Sequence, residues 1–435
     1  MARNHKKPSR RELLGCFAGV GTMAVGAELG LLPEFDASAT ARAAEPSHGF
    51  VDRVPITGKA GPGMEPFDQA ILKIMDRHGI PGAAFALALN GRLILAKGYG
   101  WANAPTGEKV MPSTRFGLAS LSKPITAVAI LKLVEQGKLK LEDRVFDILT
   151  DIEPPKGKRL DPRLAKVTIR QCLDHSGGWD RTKAGDPVNW EPQICRAFQV
   201  PPPLEAKQFI SYVMGMPLQF APGTDTEYSN TGYILAGEII AKVSGQPYSR
   251  FVEEQVLLPM GIKRTVLWPA AGKYLPEVAL RHLAGALTPL PPMQLPMVDA
   301  AGGWIASVVD LVRFLTNIDN SRGKSVLNRK SRDLMREPPA PPIKRRDNGT
   351  YFGLGWDIAG ETAEKFGYYK EGSYQGMRTF MKRLGSGINW ALVYNSSMEF
   401  DPVDRRMVSG TAEEVQQLID SFDVYPNIDL FEEFP

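Results

Sequence analysis

The chain has 435 residues, long enough to bury a large core, and its 43% hydrophobic and 23% charged composition excludes a disordered or fibrous protein. Half of the formal net charge of +4 lies before residue 45, where six basic residues face four acidic ones, so the body carries no electrostatic footprint for nucleic acid or an anionic membrane. Only Cys172 and Cys195 of the three cysteines lie beyond that stretch, which excludes a disulfide scaffold. The five histidines are scattered and no HExxH or CxxC occurs, so neither a metal nor a cofactor is expected.

A basic opening is followed by Ser9-Arg10-Arg11-Glu12-Leu13-Leu14 and a short apolar run to Ala27, a pattern that resembles a twin-arginine export signal. The run is shorter than the roughly 18 residues of a spanning helix, so no stable membrane insertion is expected. Cleavage is expected after Ala39 or Ala43. On this reading residues 1–44 are the signal and the mature protein is periplasmic or extracellular; a plain basic tail is the alternative. Cys16 sits in a lipoprotein-like Leu-Leu-Gly-Cys, but before the apolar run, so lipidation is not expected. Residues 45–63, rich in Pro and Gly, read as a linker.

Phe67, Ile71, Leu72 and Met75 recur at helical spacing up to Gly79. Residues 83–89 and 92–98 flank Asn90-Gly91, a dipeptide that tolerates positive φ at both positions and predicts a tight hairpin. Residues 120–136 are helical again, with Ile125, Val128, Ile130, Leu131 and Val134 on a broad face and Gly137 placed to end the helix. Residues 167–173, 204–213, 233–243 and 248–256 follow as helical stretches broken by clusters such as Pro201-Pro202-Pro203. Residues 309–317 read as a helix, 377–382 and 389–394 as a second hairpin about Gly385 and Gly387, and 411–422 as a closing helix. Strands at both ends with helices between predict an α+β fold: an antiparallel sheet flanked by helices (64–117 and 300–435) with an inserted all-helical lobe (118–299), and a site in the cleft between them. Residues 337–350, with four prolines and Lys344-Arg345-Arg346, read as a solvated surface loop, a partner-binding patch being the alternative.

Ser120-Leu121-Ser122-Lys123 opens the predicted buried helix. A spacing of three is just under one turn, so Ser120 and Lys123 share a face. A serine hydroxyl becomes a nucleophile when a neighbouring base takes its proton, and a lysine serves as that base when burial or a second cation depresses its pKa. The tetrad alone is weak, since Ser321-Arg322-Gly323-Lys324 repeats the spacing in a polar stretch with no apolar helix behind it. Tyr228-Ser229-Asn230 precedes an apolar helix; the phenol can pass a proton to a leaving group and the amide can hold a substrate carbonyl. Lys370-Glu371-Gly372-Ser373 precedes the second hairpin. There Lys370 would depress the Lys123 pKa and attract a carboxylate, Gly372 would let the backbone approach the ligand, and the Ser373 and Ser120 amides would form an oxyanion hole.

Together and in this order, the three motifs resemble the serine β-lactamase and penicillin-binding family, in particular its class C β-lactamase, esterase and D-peptidase branch. Leu173-Asp174-His175-Ser176-Gly177-Gly178, Ala301-Gly302-Gly303-Trp304 and Phe352-Gly353-Leu354-Gly355-Trp356 add to the likeness, which spans roughly residues 67–422. The resemblance implies Ser120 as nucleophile, Lys123 as general base, Tyr228 as proton shuttle, Asn230 as substrate-carbonyl ligand and Lys370 as electrostatic partner. The third motif departs from the family's usual Thr by carrying Glu371, which would repel a β-lactam carboxylate if it faces the cleft and matter little if it faces away. His175, in a Gly-rich loop behind Asp174, is read as structural, and the absence of GxSxG argues against an α/β-hydrolase. The expected activity is ester or broad ester/amide hydrolysis through an acyl-enzyme, on a small-molecule or peptide substrate. The alternatives are a β-lactamase, a D-alanyl-D-alanine carboxypeptidase or D-aminopeptidase, and a noncatalytic peptidoglycan or peptide sensor.

Overall fold

A computed structural model describes residues 54–434 except 270–272, 284, 286, 294–295, 361–366 and 398–406. The proposed export signal lies outside the described residues. The main sheet uses β1 (Ile56–Ala60), β2 (Gly82–Leu89), β3 (Arg92–Asn103), β4 (Tyr351–Phe352), β5 (Asp357–Ala359), β6 (Gly367–Tyr374), β7 (Met377–Arg383) and β8 (Ile388–Tyr394). Their order is β1-β3-β2-β8-β7-β6-β5-β4, antiparallel throughout, with Glu108–Lys109 pairing on β3 as a ninth strand. Pairing of β2 with β8 joins the two ends of the chain in one sheet, as the strand–helix–strand pattern predicted. The β2–β3 hairpin turns at Asn90 (φ 48°) and Gly91 (φ 80°), both left-handed, which is the reason that dipeptide marks it.

One expectation is corrected at the N-terminal edge. Part of the stretch read as a linker, Ile56–Ala60, is the edge strand β1, zipped to β3 from Ile56↔Tyr99 to Ala60↔Leu95. Its side chains are largely exposed, so it carries no alternation of apolar residues to betray it.

Helix α1 (Glu65–His78) buries Phe67, Ile71, Leu72 and Met75, and α2 (Ser122–Glu135) buries eleven of its fourteen side chains. Further along run α3 (Thr231–Ser244), α4 (Val308–Ile318) and α5 (Met407–Asp420). On one sheet face Phe85, Leu87, Trp390 and Leu392 pack with α1 and α5; on the other Ala84, Ala86, Ala88, Ala391 and Val393 join the core that holds α2, α3 and α4. With both faces covered, β2 and β8 read as continuous apolar runs. Residues 248–256 are less regular than expected: an α-turn (Tyr248–Val252) passes into a π-turn (Glu253–Leu257) and a 3-10 turn. Cys172 and Cys195 are buried free thiols.

A small sheet positions the site. Phe116–Gly117 and Val266–Leu267 flank Trp304–Ala306, and the Leu118 amide donates to Trp304 O at 2.9 Å. The chain therefore reaches the turn that holds Ser120 already tied to the segment that enters α4.

Candidate active site

Ser120 occupies the middle of a 3-10 turn, Ala119–Leu121, that feeds directly into α2. Ala119 before it has φ 47°, a left-handed conformation that costs a residue with a Cβ and that the surrounding packing must impose. Strand β6 supplies that packing. A Cβ on Gly372 would overlap Leu118 O and Thr379 Oγ1 and stand 3.0 Å from Ser120 N, so only glycine lets the strand lie against the turn. Thr379 Oγ1 donates to Leu118 O at 2.8 Å from β7, and Ser373 lines the cleft beside Ser120.

Ser120 Oγ lies 2.5 Å from Tyr228 Oη, and Lys123 Nζ donates to Ser120 Oγ at 3.1 Å, to Asn230 Oδ1 at 2.8 Å and to Ala301 O at 2.8 Å. Three acceptors match the three hydrogens of an ammonium. A neutral amine would keep the Asn230 and Ala301 bonds and turn its lone pair to the Ser120 hydroxyl. Burial holds the Lys123 pKa below that of an ordinary lysine, and the nearby Lys370 charge adds to the effect against the opposing pull of Tyr228 and Asp186. For Tyr228, burial acts upward, but the Lys123 and Lys370 charges outweigh it and leave the phenol more acidic than usual. The two groups share one proton system: the Lys123 charge eases loss of the Tyr228 proton, and Tyr228 in turn holds the proton on Lys123.

Asn230 stands at the entrance to α3, and its Nδ2 donates to Asp186 Oδ2 at 2.7 Å. Lys123, Asn230 and Asp186 thus form one chain of hydrogen bonds. The expected contact of Asn230 with a substrate carbonyl is left to its second amide hydrogen. Asp186 precedes the 3-10 turn Pro187–Asn189 and no sequence pattern marked it.

Lys370 is where the sequence reading needs its main correction. It does not offer its ammonium to the cleft: the residue is 2% exposed and Nζ donates to Asp357 Oδ2 at 2.9 Å. The other oxygen of Asp357 accepts from Arg346 Nη2 at 2.7 Å, so part of the loop expected to be solvated turns inward. Asp357 directly follows the Phe352–Trp356 segment, and that adjacency was the one available signal for it. With Nζ 5.0 Å from the Tyr228 ring centre, Lys370 acts on the site through its field. Glu371 points the other way: burial along β6 alternates, placing Lys370 and Gly372 toward Ser120, and Glu371 Oε2 accepts from Arg378 Nη2 at 2.6 Å.

His175 packs against Tyr228, Tyr233 and Phe352 at 4.7, 5.4 and 4.6 Å between ring centres, and its Nδ1 accepts the Ser229 amide at 3.1 Å. Burial, with Lys370 and Lys123 nearby, drives its pKa well down, so it is a neutral structural ring, as its loop context predicted. Beyond Ser120 the cleft is walled by Val188, Met293, Val298, Ala301, Tyr374 and Met377, with no charged side chain among the described lining residues. Among the described residues no His, Cys, Asp and Glu group is arranged to hold a metal.

An α+β fold with a serine on a strained turn, a lysine one helical turn on and a tyrosine 2.5 Å from the serine is the arrangement that the resemblance to the serine β-lactamase and penicillin-binding class implied. The chain belongs to the β-lactamase family, whose model matches residues 67–409. Protein flp of Staphylococcus aureus (strain MW2) is 30% identical over 200 residues, 46% of this chain but only 37% of that protein, so the match spans little more than a third of the curated relative. The octameric penicillin-binding protein homologue from Pyrococcus abyssi superposes with a TM-score of 0.66 at 26% identity, covering 82% of this chain and 77% of that one. The D-amino acid amidase from Ochrobactrum anthropi SV3 shares the fold with a TM-score of 0.64 at 24% identity, over 82% of this chain and 99% of its own.

Proposed function

We propose that the protein is a serine acyl hydrolase of carboxylesterase type, working through an acyl-enzyme on Ser120. The observation that carries this reading is the 2.5 Å approach of Tyr228 Oη to Ser120 Oγ, with Lys123 Nζ at 3.1 Å, at the mouth of an uncharged apolar pocket. Neutral Lys123, helped by Tyr228, takes the Ser120 proton as Oγ attacks the acyl carbon. The resulting oxyanion is received by backbone amides at the start of α2 and the end of β6, those of Ser120 and Ser373. Collapse expels the alcohol or amine, which takes a proton from Tyr228, and the acyl group stays on Ser120. Water then attacks the ester, its proton passing to the same pair, and Ser120 leaves as the acid is released. Lys123 is the general base, Tyr228 the proton shuttle, Asn230 and Lys370 groups that hold and charge the pair.

Two features favour neutral acyl substrates over β-lactams. The pocket walls are uncharged, and Lys370, which a β-lactam carboxylate would seek, is committed to Asp357. The test is turnover of p-nitrophenyl butyrate and nitrocefin side by side by the protein and its Ser120→Ala variant. Ester turnover lost in the variant, with little nitrocefin cleavage, is expected. Nitrocefin cleavage exceeding ester cleavage would replace the esterase reading with a β-lactamase one, and silence on both, with no fluorescent penicillin captured on Ser120, would replace it with a narrow D-peptidase or a sensor.

A further inference from the structure

Away from the cleft, a second cavity of about 520 Å³ opens where α4, the turn Leu258–Met260 and the C-terminal segment meet. It has the volume of a small-molecule site and shares no lining residue with the cleft at Ser120. Lys263, Arg313, Arg322 and Lys324 line it, against one carboxylate, Glu432.

Arg313 stands at its centre. Its Nη2 donates to Phe434 O at 2.6 Å and its guanidinium carbon lies 5.1 Å from the Phe431 ring centre, but its Nε is buried with no hydrogen-bond partner among the described residues. A buried donor left unmade carries the full cost of its lost hydration. Its Nη1 edge lies against the cavity wall at Gly261, 3.5 Å from where a Cβ on that residue would stand. Burial pulls the Arg313 pKa down; Asp310 opposes that, the Arg322 charge adds to it, and Asp429 opposes it again. Asp310, one turn earlier on α4, has its own carboxyl pKa raised by burial. Arg322 rests on the same Phe431 ring at 4.9 Å and is already committed, to Asp429 at 3.1 Å and to Gly91 O at 2.9 Å. Lys263 and Lys324 are exposed and have no ion-pair partner among the described residues.

These charges select the ligand. With Asp429 set against Arg322, three cations remain for Glu432 alone, a surplus of two that a dianion would balance. The three are rooted on separate segments, so each can take a different oxygen. That suits a tetrahedral group with three acceptor oxygens better than a planar carboxylate, which one guanidinium fork satisfies. Asn317 spends its Oδ1 on the Val326 amide at 2.8 Å, which leaves Nδ2 as a neutral donor in the same wall. We propose that the cavity binds the phosphate group of a phosphomonoester, with Arg313 as its anchor and Lys263 and Lys324 as its outer contacts. The site is independent of the acyl-hydrolase chemistry at Ser120.

Binding of phenyl phosphate and of inorganic phosphate, followed by phosphorus NMR at about pH 8 and a fixed ionic strength of about 0.1 M, tests it, with benzoate as the planar monoanion. Both phosphates are expected to bind with a Kd of about 1 mM, and benzoate, measured by competition, at least about tenfold more weakly. The double variant Lys263→Ala/Lys324→Ala changes two exposed side chains, so it should melt as the parent does and bind both phosphates about tenfold more weakly. Arg313→Gln should lose more. Benzoate competing as well as phenyl phosphate, or parent-like phosphate affinity in the double variant, would overturn the proposal. Inorganic phosphate binding with phenyl phosphate excluded would overturn the monoester as ligand, and a Kd above about 20 mM for both would overturn the site itself.

Discussion

Asp357→Asn isolates the buried charge cluster behind the site. The substitution keeps the side chain's shape and removes its charge, leaving the Lys370 ammonium, with a side chain 2% exposed, beside a neutral amide. Arg346, 31% exposed, can turn to water, so its half of the cluster is worth no more than about 1 kcal/mol. Stripping the partner from a buried charge costs about 3–5 kcal/mol; because the Asn carbonyl still accepts from Lys370, we expect about 3 kcal/mol. In urea the midpoint should fall with the slope unchanged. The double variant Lys370→Met/Asp357→Asn should lose much less than the two single losses combined, since no buried charge is then unpaired. A loss below about 1 kcal/mol, or single losses that simply add, would refute the claim that Asp357 is what keeps Lys370 in place.

Three further predictions follow from the same geometry. Lys123 must be uncharged to receive the Ser120 proton, so ester turnover should rise with pH along a limb whose midpoint lies below that of an ordinary lysine, and Lys370→Met, by removing a positive neighbour, should move that limb to higher pH; a limb that stays put or moves down contradicts the assigned base. Gly372→Ala forces a Cβ into Leu118 O and Thr379 Oγ1, so kcat should drop at least about tenfold together with a stability loss of about 2 kcal/mol, and near-normal turnover would show that β6 does not brace the nucleophile turn. Asp299 has its carboxyl pKa raised to about 7, first by burial and then by Glu205. A raised acid contributes stability that is complete below about pH 4 and is lost as pH climbs through about 7, so Asp299→Asn, which cannot ionise, should gain about 4 kcal/mol relative to the parent between pH 4 and 8. A stability difference that is flat with pH would count against that titration.

Much of the machinery was legible along the chain because it depends on spacing within one element or on turn chemistry. Ser120 and Lys123 sit three residues apart at a helix start, Asn90-Gly91 needs left-handed φ at both positions, and α1 shows its buried stripe at helical intervals. Resemblance supplied Tyr228, and the structure brings it to 2.5 Å from Ser120 across 108 residues of chain. What sequence could not decide was every question that turns on a partner from elsewhere in the chain. The direction of Glu371 depends on the register of β6 against β7, which sets Arg378 beside it. The fate of Lys370 depends on Asp357, a neighbour on the adjacent strand β5, and on Arg346 from a loop whose composition advertised only solvent. Edge strand β1 was invisible because an edge with exposed side chains owes its place to backbone ladder bonds, which leave no pattern in residue type. Local spacing thus determined that Ser120 and Lys123 share one turn, and tertiary packing alone decided which charges are turned away from the cleft, because an ionic side chain goes wherever a counter-charge removes the cost of its burial.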